Sequence, residues 1–253
     1  MTLAADSLLQ RLGRVLLPPR CLVCADPGAG RRDLCAACLE AWPWLGPACA
    51  RCALPMPEPV AACGACLRRS PAFAATSAAF VYAEPVAGLL HRFKFGHDLA
   101  AGRLLADLAA PRLAGADPPD ALLAVPLHRT RLAERGYNQA WELARAFARA
   151  LGIPLLPAGT LQRTRCTTAQ TELGLAARRR NVHGAFVLAQ GAVLPRHLAL
   201  VDDTMTTGAT VSECARVLRR AGVGRVQAWV LARVPPPAQR ADRAPLPGGE
   251  GSR

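Results

Sequence analysis

A chain of 253 residues with 51 % hydrophobic composition has room for one substantial core and one small module, because domains run about 100 to 200 residues. Its formal net charge is +13, from 31 Lys plus Arg against 18 Asp plus Glu, so an anionic partner is expected, and phosphates fit that description. No uncharged apolar stretch reaches the roughly 18 residues that a membrane span needs, which excludes insertion by a transmembrane helix.

Leu8, Leu9, Leu12, Val15 and Leu16 recur at helical spacing, so residues 1–17 are expected to form an amphipathic helix. Asp6, Arg11 and Arg14 interrupt its apolar run, so the segment does not read as a secretory signal and the protein is expected to be cytoplasmic. Thiols stay reduced there, and cysteines serve metals more often than disulfides. Residues 18–70 are rich in Cys, Pro and Gly, lack periodicity, and are too few to bury enough apolar surface alone.

Across residues 71–234 apolar runs alternate with helical patterns, the signature of an α/β domain on a largely parallel sheet. Strands are expected at 73–82, 121–125, 197–201 and 225–231, and helices at 86–95, 99–113 and 209–221. A polar, basic loop follows Pro126. Ala140, Leu143, Ala144, Phe147, Ala148 and Leu151 then mark one face of a further helix, with Asn138 as its cap. The tail, residues 235–253, has little to bury and is expected to be disordered.

Four C-x-x-C pairs, Cys21/Cys24, Cys35/Cys38, Cys49/Cys52 and Cys63/Cys66, each begin 14 residues after the previous one. Two cysteines at this spacing turn both sulfurs toward one ion, and two such pairs complete a tetrahedral thiolate site for zinc. Eight ligands imply two closed, structural zinc sites. The regular spacing permits three pairings. Joining neighbours closes the shortest loops and is preferred on chain entropy, while a cross-braced arrangement stays open.

The most informative stretch is Leu198 to Thr210: an apolar strand, then Asp202 and Asp203, then Thr204, Met205, Thr206, Thr207, Gly208, Ala209 and Thr210 leading into a helix. Free backbone N–H groups at a helix amino end, reinforced by the helix dipole, make a phosphate site. Gly208 permits close approach, and the threonines supply hydroxyl donors. Two acids before such a turn suit a ligand that also carries hydroxyls, and ribose 5-phosphate has both. Lys94, the chain's only lysine, is a further phosphate-contact candidate, since a compact ammonium differs from the guanidinium used everywhere else.

Two acids followed by Thr-Thr-Gly resemble the phosphoribosyltransferase signature, with Thr204 where that family usually has an apolar residue. Val125-Pro126-Leu127-His128, Arg135-Gly136-Tyr137-Asn138-Gln139, Gln170-Thr171-Glu172-Leu173 and Arg179-Arg180-Asn181-Val182 follow the order seen in the ComF family (ComFC/GntX-like competence proteins). The resemblance spans residues 18–234. It implies a phosphoribosyltransferase-type, mostly parallel sheet flanked by helices, with a small N-terminal double zinc ribbon.

By the same resemblance, Arg129 and Arg131 belong to the loop that takes the pyrophosphate of phosphoribosyl pyrophosphate (PRPP). Gln170, Arg179, Arg180 and Asn181 belong to a flexible basic loop that closes over the donor. Asp202 and Asp203 become the catalytic acids, and Mg2+ accompanies the donor. No nucleobase pocket signature is legible, so two readings stand. One is a phosphoribosyltransferase acting in DNA uptake or use. The other is a module that holds single-stranded DNA or a competence-machinery protein beside a vestigial phosphoribosyl site, with Trp42 and Trp44 as candidate stacking residues.

Overall fold

The computed structural model describes residues 19–30, 32–113, 115, 117–165 and 180–236. The expected helix over 1–17 and most of the tail lie outside them. The chain divides into two compact units, Met1–Trp42 and Pro43–Arg253.

Both units contain the same zinc-knuckle geometry, 28 residues apart. In the first, Cys21 N–H donates to the Asp26 carbonyl at 2.8 Å, Ala25 N–H donates to the Cys21 carbonyl at 2.9 Å, and Ala25 has φ +66°. In the second, Cys49 N–H donates to Leu54 at 2.9 Å, Ala53 N–H to Cys49 at 2.7 Å, and Ala53 has φ +54°. Each knuckle is followed by a short helix capped by a cysteine, α1 (Ala36–Glu40) after Cys35 and α2 (Gly64–Arg68) after Cys63. The 14-residue sequence period therefore folds as a 28-residue structural duplication.

The larger unit is built on a four-stranded parallel sheet. Its elements in chain order are β1 (Ala75–Val81), α3 (Val86–Phe95), α4 (Leu99–Leu113), β2 (Ala121–Ala124), α5 (Arg129–Arg135) and α6 (Gln139–Leu151). There follow β3 (Leu161–Arg163), β4 (Phe186–Leu188), β5 (His197–Met205), α7 (Ala209–Arg220) and β6 (Arg225–Arg233). The sheet order is β1-β6-β5-β2, every pair parallel, while β3 and β4 form a separate antiparallel ribbon.

All of β2 and all but the first residue of β6 are buried, as expected of strands covered on both faces. Helices α4 and α6 pack on each other and on the sheet, and α7 packs on β5, β6 and the β4 ribbon. Phe80, Phe93, Phe147 and Trp229 are almost fully buried in this core.

Parallel sheets leave edges that must be covered. The second ribbon covers β1: Leu45 N–H donates to Ala79 at 3.0 Å, Val81 N–H to Pro43 at 2.9 Å, and Thr76 N–H to Ala50 at 3.1 Å. At the other edge, Leu122 N–H donates to Pro154 at 2.8 Å and Leu156 N–H to Leu122 at 2.9 Å.

The β3–β4 ribbon has no counterpart among the expected strands, and two elements near the strand ends differ from expectation. Arg129–Arg135 is a helix where a loop was expected, started by His128, whose Nδ1 accepts from Thr130 N–H at 3.3 Å, and stopped by Gly136 at φ +71°. Strand β5 continues four residues past Val201, because Asp202, Thr204 and Met205 remain in register with Val230, Ala232 and Arg233 of β6. Main-chain pairing outweighs the low strand preference of the two acids.

Candidate functional site

Each set of four cysteines converges, Cys21, Cys24, Cys35 and Cys38 in one cluster and Cys49, Cys52, Cys63 and Cys66 in the other, with all Sγ atoms of a cluster within 4.8 Å of one another. This is the neighbour pairing. Cys24 and Cys35 Sγ lie 3.6 Å apart, Cys24 and Cys38 3.7 Å, and Cys52 and Cys63 3.7 Å. A tetrahedron with Zn–S bonds of about 2.3 Å has edges of about 3.8 Å, so the donor sets fit zinc.

The second site lies where parallel sheets normally bind ligands, beyond the carboxyl ends of the strands. Strand β5 delivers Asp202 and Asp203 there, and α7 begins four residues after Met205. Gly208 caps α7 at φ +70°, and a Cβ on it would lie 3.4 Å from both Met205 Sδ and the Phe73 ring. Glycine is thus favoured by its left-handed backbone angle, while a side chain there would pack closely on Phe73. Thr207 Oγ1 accepts from Ala209 N–H at 3.3 Å, which caps the start of α7. Thr206 and Thr210 flank this turn and are half-buried.

The two acids differ. Asp203 is buried and meets Lys94 Nζ at 2.9 Å, while its Oδ1 accepts from Thr204 Oγ1 at 2.9 Å. Lys94 also donates to Thr204 Oγ1 at 3.1 Å. Asp202 accepts only its neighbour's backbone N–H, Asp203 N at 2.9 Å, among the bonds described for it. Burial, and then the charge of Asp203, push its carboxyl up to about 7, against partial opposition from that N–H, Lys94 and Arg163. The site therefore presents one carboxylate already matched by an ammonium and one held near neutrality, close to its titration point.

The structure brings Lys94 into the acid pair, a placement that its status as sole lysine only hinted at. It does not show Arg129 or Arg131 there. Arg129 is exposed in the first turn of α5, and Arg131 pairs with Glu134 of its own helix at 3.4 Å. Arg180 and Asn181 lie at the returning end of the basic segment, whereas Gln170 and Arg179 lie outside the described residues.

The Arg135-Gly136-Tyr137-Asn138-Gln139 motif builds a corner. Gly136 stops α5, Asn138 caps α6 by accepting from Ala140 N–H at 3.0 Å, and Asn138 Nδ2 reaches back to the Val125 carbonyl at 3.1 Å. Tyr137 donates its hydroxyl to the Phe93 carbonyl, one residue before Lys94. The motif thus fixes the helix that carries the lysine.

Three functional candidates were missed. Arg163, at the end of β3, adds positive charge at Asp202 and lies over the Phe186 ring at 5.6 Å. Glu213 of α7 accepts Gly184 N–H at 2.6 Å and pairs with Arg216, which draws its carboxyl down to about 2. Arg165 donates to the His183 carbonyl, next to Gly184, at 2.6 Å. Glu213 alone had a signal in the sequence, as the only acid on α7. Trp44 has its ring against Phe80 at 5.4 Å and under the Arg112 guanidinium at 3.9 Å.

Two four-cysteine clusters, and a parallel sheet that ends in an acid pair at a helix amino end, define a zinc-ribbon protein with a phosphoribosyltransferase-like domain. Residues 12–67 match the double zinc ribbon domain family, and with the two clusters this supports two structural zinc ions. Adenine phosphoribosyl transferase from Trypanosoma brucei, solved with AMP, pyrophosphate and ribose-5-phosphate, aligns at 13 % identity and a TM-score of 0.35, over 64 % of this chain and 77 % of that one. At that score the alignment carries no argument, and the class rests on strand order, site and sequence relatives.

The chain is 35 % identical over 224 residues to the DNA utilization protein YhgH of Escherichia coli O157:H7, covering 86 % of this chain and 98 % of that one. It is 39 % identical over 160 residues to competence protein F of Haemophilus influenzae, covering 60 % and 69 %. Over 156 residues it is 26 % identical to competence protein ComFC of Streptococcus pneumoniae, covering 62 % and 67 %. The chain belongs to the ComF family. Among the described residues no helix is long and apolar enough to cross a membrane.

Proposed function

We propose that Asp202 to Thr210 bind the ribose 5-phosphate part of PRPP, as the donor site of a phosphoribosyltransferase that serves DNA uptake or use. The observation that carries the reading is the continuous run from an acid pair to a helix amino end, with Lys94 on Asp203 at 2.9 Å. Carboxylate oxygens accept from the ribose hydroxyls, and the Thr206–Gly208 turn with the α7 amino end takes the 5-phosphate. The donor set also suits Mg2+, a hard cation that prefers carboxylate, phosphate and water oxygens. When bound, Mg2+ supplies charge neutralisation for a departing pyrophosphate.

Under this reading Lys94 orients Asp203, Asp202 loses its proton as ligand hydroxyls arrive, and Arg129, Arg131 and Arg163 supply positive charge around the leaving group. Gln170, Arg179, Arg180 and Asn181 exclude water by closing over the donor. Calorimetric titration with PRPP and Mg2+, with the Asp202→Asn/Asp203→Asn double variant beside it, tests the site. Saturable binding lost in the variant is expected, and equal affinity in both proteins overturns the assignment.

The second reading, a module that grips single-stranded DNA or a competence-machinery protein, is favoured by the names of the relatives and by the +13 charge. A DNA affinity that falls steeply with salt is its signature. Trp44 is a poor stacking residue for it, because Phe80 and Arg112 already occupy its ring.

A further inference from the structure

Arg233 closes β6, and its side chain joins two parts of the larger unit that are far apart in sequence. Nε donates to the carbonyl of Cys52 at 2.7 Å. Nη1 donates to the carbonyl of Met205 at 3.0 Å, and also to that of Val234. Cys52 belongs to the second cysteine cluster, and Met205 is the residue immediately before the Thr206-Thr207-Gly208 turn. The backbone reinforces the link, since Val234 N–H donates to the Met205 carbonyl at 2.9 Å.

Arg233 is only 7 % exposed. A buried guanidinium is costly unless an opposite charge lies close. The second cluster provides one, since zinc with four thiolates carries two net negative charges. The planar fork suits the task, because separate N–H groups reach Cys52 and Met205 at the same time.

We propose that Arg233 is a positioning residue that couples occupancy of the second zinc site to the geometry of the phosphate turn. Zinc at Cys49, Cys52, Cys63 and Cys66 fixes the Cys52 carbonyl and supplies the countercharge. Arg233, so anchored, holds the Met205 carbonyl and with it the start of the turn.

The coupling itself does not need the ribose phosphate reading, so it is tested first without ligand. Full-length, zinc-loaded protein is compared with Arg233→Met and Arg233→Lys by amide hydrogen exchange, and zinc release to a chromogenic chelator is timed. Removing the second zinc from the wild type, or substituting Met at Arg233, should speed exchange of the Thr206–Gly208 amides by about 10-fold or more, within the usual 5- to 150-fold range of site coupling. Amides in α6 should be accelerated less than those of the turn. Arg233→Met should release one of its two zinc ions faster, and Arg233→Lys should restore less than half of either effect.

Unchanged turn amides after zinc loss, or acceleration spread evenly over the whole sheet, would show a merely structural arginine and overturn the proposal. Ribose 5-phosphate is then added. Coupling is reciprocal, so it should slow release of one zinc in the wild type and of neither in Arg233→Met. Failure of ribose 5-phosphate to bind the wild type at all rejects the donor-site reading, while the ligand-free exchange result still decides the role of Arg233.

Discussion

Lys94 Nζ stands 2.9 Å from Asp203 Oδ2 and 3.1 Å from Thr204 Oγ1, so the chain's single lysine is shared between two consecutive residues of β5. Both side chains of the ion pair are mostly shielded, at 17 % and 12 % exposure. Such a pair is felt most when one partner is removed, because the other charge is left in a poor medium.

Lys94→Met is therefore expected to lower thermal stability and to weaken binding of PRPP with Mg2+ by about 10- to 100-fold, the scale of a lost charge-assisted contact. Lys94→Arg should recover stability better than binding, because a guanidinium is broader than the gap that the ammonium fills. Calorimetry and thermal melts on the same preparations check this. A Lys94→Met protein that binds as tightly as wild type removes the lysine from the site.

Asp202 makes stability and binding pull in opposite directions. Its carboxyl titrates near 7 rather than the usual 3.8, so between these values the folded protein holds a proton that the unfolded chain has released. Stability from this group therefore falls as pH rises from about 4 to about 7. Asp202→Asn, which keeps an oxygen for Asp203 N–H, should stabilise the free protein at pH 8 by about 1 to 2 kcal/mol after allowing for screening. The same variant should lose ribose phosphate affinity. In the wild type that affinity should rise by about 10-fold from pH 6 to pH 8, following ionisation of the carboxyl. Denaturant midpoints that show no difference between the two proteins from pH 5 to pH 8 would remove this account of Asp202.

Much of this site was legible because its chemistry is contiguous. Asp202, Asp203, the threonine turn and Gly208 are consecutive, and the cysteine pairs announce themselves by spacing. What could not be read is long-range: Arg233 meets Cys52 across 181 positions and Lys94 meets Thr204 across 110. The period of the cysteines also concealed the division of the chain, since one ribbon belongs with the sheet and the other does not. The break in apolar pattern at Pro126 predicts a loop over Arg129 and Arg131, yet His128 and Gly136 supply the start and stop of a short helix between them.

Glu213 should behave as an acid-sensitive latch. Its carboxyl sits near 2 because Arg216 hydrogen-bonds it, with Gly184 N–H adding to the effect. A depressed acid contributes stability above its unfolded value, and that contribution is lost as pH falls toward 2. Glu213→Gln should cost about 2 kcal/mol at pH 7 and progressively less below pH 4.5. The Gly184 amide should exchange faster in the variant, since its acceptor no longer carries a full charge. Equal urea midpoints at pH 7 would remove Glu213 as an anchor of the segment that carries Arg180 and Asn181.

The two zinc sites should differ in what their loss does to the sheet. Cys49, Cys52, Cys63 and Cys66 lie in the same compact unit as β1, whose outer edge is bonded to residues 43–50. Cys52→Ser should release one zinc, free Leu45, Ala50 and Pro43 from β1, and lower the melting temperature of the sheet by about 10 °C or more, because metal binding there is folding free energy. Cys24→Ser should also release one zinc, yet leave that transition within about 2 °C of wild type, as a change confined to a separate unit does. Metal content by atomic absorption confirms that each variant keeps a single ion. Near-ultraviolet circular dichroism follows the sheet through Trp229, which is fully enclosed beside β5. If both variants lower its transition equally, the second ribbon has no special role in closing the edge of β1.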